Sequence, residues 1–293
     1  MAQDILWLGL HKTGTTFLQK SLDLSQAPLQ AAGLAWVSLD EFRVRWTRPL
    51  MEEGHDGALP APPDRPAGLP RRLVFDENII GLVQNGVTAQ GLYPLAAERA
   101  RKVADHLGLK QPLLVLGLRG FAGFLPSLYC EALKSTPFQT FQQFLLWPPE
   151  AMSWLPLIRR LRAAFPDSRM LLYRAEDLPG HEAALLARVT GLKPGDFTLL
   201  GAPERLGHSH AAIERLHALA RKGRVSREDV RRVTAELPRG PNQPGYAPWT
   251  AAERSLLEAA YARDIAHLAA QSRTPGSTLR LVDPGAATAT RLD

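Results

Sequence analysis

The chain has 293 residues, of which 45% are hydrophobic, a formal net charge of +6 and one cysteine, Cys130. This length can bury one large core, while a single cysteine excludes an internal disulfide and a cysteine-ligated metal cluster. The basic surplus is spread along the chain without aromatic-basic stretches, which argues against a nucleic-acid partner, and no apolar run approaches the ~20 residues of a transmembrane helix.

The N-terminal residues lack the pattern of a secretory signal. We therefore predict a cytoplasmic protein without a transmembrane segment, and we leave its oligomeric state open.

Short apolar runs alternate with amphipathic stretches along the chain. Predicted strands cover 4–10, 72–76, 112–119 and 169–174, and predicted helices cover 15–23, 94–108, 121–135, 138–146 and 152–165. Because these strands lack polar alternation, they indicate a parallel sheet covered on both faces by helices. The predicted fold is α/β, a three-layer sandwich with a helical C-terminal region.

No clear linker divides the sequence, so we predict one domain over residues 1–275. Residues 52–72 are dense in Pro and Gly and are predicted to be a loop, either a tolerated insertion or a lid over an acceptor. Residues 276–293 are predicted to be a flexible tail.

The stretch LGLHKTGTTFLQ (8–19) has the pattern of a phosphate-binding loop between a strand and a helix. Its small residues let backbone N–H groups converge on an anion, and the following helix adds the positive end of its dipole. Gly9 and Gly14 keep the glycine spacing of a Walker loop, but Thr15 occupies the lysine position and Lys12 precedes the second glycine. The loop makes the predicted sandwich one of the P-loop type, but it suits a phosphate better than Mg²⁺ with a triphosphate.

The residues HKTGTT (11–16) resemble the 5′-phosphosulfate loop of sulfotransferases that use 3′-phosphoadenosine 5′-phosphosulfate (PAPS), in a form common among bacterial members. The resemblance implies PAPS as sulfuryl donor, 3′-phosphoadenosine 5′-phosphate (PAP, or 3′,5′-ADP) as product, and no required metal. It implies that Lys12 stabilises the leaving phosphate and that Phe17 packs on the adenine. The implied donor-binding residues of this loop are His11, Lys12, Thr13, Gly14, Thr15, Thr16 and Phe17.

A second pair of residues matches the same family. Its members bind the donor's 3′-phosphate with an Arg that ends a central strand and a Ser on the next helix, and Arg119 and Ser127 have that order. A guanidinium and a hydroxyl can hold one phosphate together. Pro126 directly precedes Ser127, so a kink in this helix is expected. The similarity covers residues 4–200 well and the remainder loosely.

Sulfuryl transfer requires a base, because the acceptor hydroxyl or amine must lose a proton. Carbohydrate and tyrosyl-protein relatives use a glutamate after the second strand, which makes Glu77 the first candidate, with Asp76 second and His11 third. Alternatively, Asp76 or Asn78 only caps the next helix. The acceptor stays open among carbohydrates, lipids and small molecules.

Two other functions remain open. The run RLVFDE (72–77) resembles a Walker B strand, which would favour a P-loop kinase or ATPase. A catalytically silent protein that only binds the nucleotide is the second alternative.

Overall fold

A computed structural model describes residues 3–51, 61–62, 68–201 and 207–286. The strands in these ranges are β1 (Ile5–Trp7), β2 (Leu34–Trp36), β3 (Arg71–Phe75), β4 (Val87–Thr88), β5 (Gly91–Leu92), β6 (Leu113–Leu118), β7 (Met170–Arg174) and β8 (Leu279–Val282). The helices are α1 (Thr15–Asp23), α2 (Gln26–Ala31), α3 (Leu39–Phe42), α4 (Arg48–Met51), α5 (Ala96–His106), α6 (Phe121–Ala132), α7 (Phe141–Phe144), α8 (Leu155–Ala164), α9 (Glu182–Thr190), α10 (His210–Ala220), α11 (Arg227–Glu236) and α12 (Ala251–Arg273).

A six-stranded parallel sheet forms the centre of the fold, in the order β2-β3-β1-β6-β7-β8. In β1, Ile5 lies opposite Leu73 of β3 on one side and Leu113 of β6 on the other. The chain runs from β1 to β2 and β3 on one side, then crosses to β6 on the other. The carboxyl ends of β3, β1 and β6 therefore border a crevice of the kind in which α/β proteins bind ligands.

Helices cover both faces of this sheet because neighbouring residues of each strand point to opposite sides. Ile5 and Trp7 of β1 join a core with α1 and α9, and the Trp7 ring stacks on Phe75 with centroids 4.4 Å apart. Leu6 and Leu8 join a larger core with α5, α6, α8 and α12. The α/β three-layer prediction is confirmed.

The helical C-terminal region is also present. Helices α10 and α11 pack on each other, and α12 packs on α6 and β8. The buried Asp264 of α12 accepts hydrogen bonds from Trp154 N at 2.6 Å and Ser153 Oγ at 3.0 Å, which ties α12 to the start of α8. None of the helices within the described ranges is long and apolar enough to cross a bilayer.

The prediction of a flexible tail over residues 276–293 is wrong for its described part. Strand β8 extends the sheet, pairing in parallel with β7 and placing Leu281 opposite Leu172. Its four residues lie among Pro, Gly, Ser and Asp and include Arg280, so the sequence shows no extended apolar run. A short edge strand is held in the sheet by main-chain hydrogen bonds, which do not require a recognisable side-chain pattern. Residues 287–293 lie outside the described ranges.

The predicted loop over 52–72 extends too far, because Arg71 and Arg72 already belong to β3. Their guanidinium groups donate to backbone carbonyls, Arg71 to Gln3 and Thr190 and Arg72 to Leu107, which allows charged residues to begin a buried strand. Residues 52–60 and 63–67, on which the lid hypothesis depends, lie outside the described ranges. Strand β2 was not predicted, and the predicted helices over 121–135 and 138–146 shorten to α6 and α7.

Candidate functional site

The loop between β1 and α1 has an unusual backbone. Gly9, Lys12 and Gly14 have positive φ angles of 57°, 65° and 84°, and Gly14 begins α1 without a side-chain cap. A Cβ on Gly9 would lie 2.9 Å from Thr15 Cγ2, so this position requires glycine. Lys12 is not a glycine and carries the strain of this conformation. Arg119 Nη1 donates to the Lys12 carbonyl at 2.7 Å and thereby holds that conformation.

A cavity of about 510 Å³ opens at the carboxyl ends of the three central strands. It brings together most of the residues predicted from the sequence: His11, Lys12, Gly14, Thr15, Thr16, Phe17, Glu77, Arg119 and Ser127. Several lining residues were not predicted: Arg43, Asn78, Gln84, Glu131, Ser135 and Arg239. Of the predicted site residues, only Thr13 and Asp76 do not line it. The hydroxyl of Thr13 donates to the carbonyl of Leu10 at 2.6 Å, inside the loop.

Lys12, Arg119 and Arg239 form the cationic wall of this cavity. Lys12 Nζ lies 3.0 Å from Glu131 Oε2, while the contact of Arg119 with the Lys12 carbonyl is to a neutral group. Burial lowers the pKa of Arg119; the negative charge of Glu176 acts to raise it, and the positive charge of Arg239 acts to lower it. Like charges gathered at a cavity are stabilised when an anion binds between them.

Helix α6 carries Ser127 and Glu131 into the same cavity, one turn apart. The expected kink at Pro126 does not interrupt it, since α6 is continuous from Phe121 to Ala132. Pro126 has no N–H to give to the carbonyl of Ala122. Trp249 Nε1 donates to that carbonyl instead, at 2.9 Å. A side chain from a distant segment therefore replaces the hydrogen bond that proline removes.

Asp76, Glu77 and Arg43 form the acidic wall of the site. Arg43 donates to Asp76 Oδ1 through Nε at 2.9 Å and Nη2 at 2.8 Å, and its Nη2 lies 2.9 Å from Glu77 Oε1. Arg43 begins a π-helix (Arg43–Thr47), a rare element that often occurs at functional sites. Gln19 of α1 donates to Glu77 Oε2 at 2.9 Å. Both carboxylates are thus fixed by groups from other segments.

The two acids differ in access and in ionisation. Asp76 is fully buried and caps the following 3₁₀-helix (Glu77–Ile80) by accepting from Asn78 N at 3.0 Å, whereas Glu77 lines the cavity. Burial raises the pKa of Asp76. Burial also acts to raise the pKa of Glu77, but the guanidinium of Arg43, with the hydrogen bond from Gln19, holds it below its usual value. Of these two acids, Glu77 is therefore the ionised carboxylate that a bound molecule can contact.

His11 lies buried beside this wall, with both ring nitrogens in hydrogen bonds. Nδ1 is 2.9 Å from the Tyr93 hydroxyl and Nε2 is 3.1 Å from Asn78 Oδ1. Because burial lowers the pKa of His11, the ring is neutral, and this network assigns the proton to Nε2. His11 then accepts from Tyr93 and donates to Asn78. This arrangement suits a group that orients its neighbours better than one that takes a proton from a substrate.

A second cavity, of about 500 Å³, adjoins the first at the loop between β1 and α1. It shares Lys12, Gly14, Phe17 and Arg119 with the first cavity. Its remaining lining includes the apolar side chains of Leu178, Pro179 and Leu200. One molecule could therefore place anionic groups at the loop and a flat apolar ring in this second space.

Comparisons with protein families, with curated proteins and with solved structures gave no match for this chain. In the part of the chain that the structure describes, no three His, Cys, Asp or Glu side chains form a group that could hold a metal ion. The chemistry of the cavity residues is therefore the basis for a functional proposal.

The residues that the sequence did not reveal come from two kinds of position. Glu131 lies four residues after Ser127, so the helical period could have placed both on one face. Arg43 and Arg239 lie in segments without a motif, and tertiary contacts alone bring them to the cavity.

Proposed function

We propose that this protein is a PAPS-dependent sulfotransferase, which transfers a sulfuryl group to a hydroxyl or amine of a carbohydrate, lipid or small molecule. The convergence of Lys12, the Arg119–Ser127 pair and Glu77 on one cavity is the observation that carries this proposal. These residues come from three separate segments of the chain. They supply anion binding on one wall and a proton acceptor on the other.

The cationic wall and the loop match the charge distribution of the donor. PAPS carries a 5′-phosphosulfate and a 3′-phosphate, joined through an adenosine. Lys12 with the uncapped start of α1 suits the first anion, and Arg119 with Ser127 suits the second. Phe17 and the apolar residues of the second cavity suit the adenine.

When bound, PAPS would supply an activated sulfuryl group whose bond to the bridging phosphate oxygen breaks as the acceptor's bond to sulfur forms. Lys12 would stabilise the negative charge that develops on that oxygen. Glu77, which is ionised and lines the cavity, would accept the proton that the acceptor loses. Arg43 and Gln19 hold the Glu77 carboxylate in one orientation, which favours a reaction that depends on positioning.

A P-loop kinase or ATPase is less well supported by these residues. Asp76, which would hold Mg²⁺ in such an enzyme, is fully buried. It accepts hydrogen bonds from Asn78 N and from the Arg43 guanidinium. Thr15 occupies the position of the Walker lysine. The hydrogen bonds to Asp76 all go to Oδ1, and although its buried Oδ2 makes no hydrogen bond within the described residues, Asp76 does not line the cavity where a metal-bound triphosphate would lie.

Calorimetric titration separates these two functions. We expect 3′,5′-ADP to bind more tightly than 5′-AMP, which lacks the 3′-phosphate, and more tightly than ATP with Mg²⁺. Tight binding of ATP with Mg²⁺ and no heat from 3′,5′-ADP would contradict the proposal.

Turnover separates an enzyme from a silent nucleotide-binding protein. Incubation with PAPS and a panel of sugars, glycolipids, aminolipids and small alcohols, followed by mass spectrometry, should reveal a product heavier by one sulfuryl group. Binding of 3′,5′-ADP without any product in a broad panel would favour the silent protein.

A further inference from the structure

One contact in the cavity is not required by the proposed chemistry. Lys12 Nζ and Lys134 Nζ lie 3.0 and 2.9 Å from the same oxygen, Oε2 of Glu131. Burial acts to raise the pKa of Glu131, but the two ammonium groups lower it to about 2. Glu131 is therefore ionised at neutral pH. It pairs with Lys12, the lysine that the bound anion would need.

The position of Glu131 makes this contact consequential. The side chains of Glu131 and Lys12 are only 17% and 15% exposed, so water screens their attraction less than it screens a surface pair. Both residues line the cavity with Thr15, Thr16 and Arg119. An anion bound at the start of α1 would approach a negative carboxylate as well as Lys12, which it would have to draw away from Glu131.

We propose that Glu131 is a positioning residue for Lys12 and thereby sets the affinity of the site for its anion. To bind Lys12, the phosphate group must displace the Glu131 carboxylate from it. This inference rests on the proposed function for the identity of that anion. With an anion bound, Lys12 turns to it and Glu131 keeps Lys134 as its partner. When the anion leaves, Lys12 returns to Glu131, which favours release.

Lys134 provides a matched variant with the opposite expected effect. It contacts Glu131 but does not line the cavity. Removing Glu131 frees Lys12 for the anion, whereas removing Lys134 leaves Glu131 with Lys12 alone and strengthens their pairing. The two single variants should therefore shift anion affinity in opposite directions.

The experiment is calorimetric titration of the full chain with 3′,5′-ADP and, separately, with inorganic sulfate. We expect Glu131→Gln to bind 3′,5′-ADP about tenfold more tightly than the unmodified protein, and Lys134→Gln to bind it about threefold more weakly. In the Glu131→Gln background, Lys134→Gln should change the affinity by less than about twofold, because its partner is gone. Stopped-flow measurements should show that 3′,5′-ADP leaves Glu131→Gln about tenfold more slowly.

The outcomes separate this inference from the proposed function. Equal or weaker 3′,5′-ADP binding by Glu131→Gln, with a native circular dichroism spectrum, would overturn the role of Glu131. Failure of the unmodified protein to bind 3′,5′-ADP, with sulfate binding still strengthened by Glu131→Gln, would refute the donor but support that role. If neither protein binds either anion, both proposals fail.

Discussion

The charged groups in the two walls of the cavity differ in how completely they are paired within the protein. In the acidic wall, Arg43 pairs with both Asp76 and Glu77, and Gln19 and Asn78 N fill further positions on these carboxylates. In the cationic wall, Lys12 shares one carboxylate with Lys134, and Arg119 donates to a neutral carbonyl. The carboxylates of the acidic wall are thus paired and hydrogen-bonded within the protein, while the cationic wall keeps a surplus of positive charge.

This difference indicates which wall is rigid and which one responds to a ligand. A carboxylate held by several donors has a fixed direction before any substrate arrives, as a proton acceptor requires. A cationic group with an incomplete set of partners gains most from an incoming anion. Variants of each wall should therefore affect different steps, and the following predictions begin with the largest expected effect on turnover.

Replacement of Lys12 tests the cationic wall at its most important point. We expect Lys12→Met to lower kcat for sulfuryl transfer by about 10³-fold, since the charge on the leaving oxygen loses its main stabilising group. The rate is measured as product formation by mass spectrometry with an acceptor from the panel. Lys110→Met, at an exposed site before β6 and away from the carboxyl ends of the strands, is the control. Full activity in Lys12→Met would refute the assigned role of this wall.

Replacement of Glu77 tests the acidic wall without changing its shape. We expect Glu77→Gln to lower kcat by about 10²-fold through loss of the base, while 3′,5′-ADP affinity by calorimetry changes by less than about twofold. Glu98→Gln, at an exposed position on α5, should change neither quantity. Turnover that survives in Glu77→Gln would remove Glu77 as the base.

Replacement of Arg43 tests whether the acidic wall depends on internal neutralisation. We expect Arg43→Gln to lower the free energy of unfolding by about 3 kcal/mol, because two buried carboxylates lose their partner. The matched variant Arg45→Gln, in the same π-helix, removes a half-exposed ion pair with Glu41 of α3 and a cation–π contact with Trp46, and it should cost only about 1 kcal/mol. Urea denaturation at neutral pH measures both changes, and equal losses would contradict the distinction.

The same variant has a pH signature with a defined sign. The pKa of Glu77 is lowered in the folded protein, so its ionisation stabilises the fold above the unfolded pKa, and this contribution is lost as pH falls through the folded pKa. Without Arg43 the pKa of Glu77 rises. We therefore expect the stability difference to shrink on acidification, and the acid limb of the turnover profile to move to higher pH.

Replacement of Arg119 should affect one part of the donor. We expect Arg119→Gln to weaken 3′,5′-ADP binding by about 30-fold but 5′-AMP binding by less than about threefold, because only the first carries a 3′-phosphate. Calorimetry measures both, with Arg221→Gln on the exposed end of α10 as control. An equal loss for the two nucleotides would assign Arg119 to the loop conformation alone.

The parts of this protein that the sequence predicted are local ones. The loop at 8–19 is recognisable because its glycines, threonines and flanking apolar run are consecutive, and β6 because both its faces are buried. Arg119 and Ser127 were implied by the resemblance, through their order after a strand. In each case the sequence pattern and the structure that it predicts lie within about one strand, loop or helix.

The parts that were missed depend on contacts between distant segments. Arg43 lies 33 residues before Asp76, in a segment without a strand or a periodic pattern, and only its contacts reveal its role. Strand β8 is short and partly polar, so its pairing with β7 decides its conformation. The choice between Asp76 and Glu77 required knowledge of which carboxylate is capped and buried.

The hydrogen bond from Trp249 to Ala122 has a consequence for the order of folding. It joins residues 127 positions apart, and it completes the helix that carries Ser127 and Glu131. Contacts between residues so far apart in sequence form late, because the chain between them must be ordered first, whereas β1 and β3 are separated by fewer residues. We expect pulse-labelled hydrogen exchange during refolding to protect the amides of β1 before those around Ala122. The anion site would then be among the last features of the molecule to form.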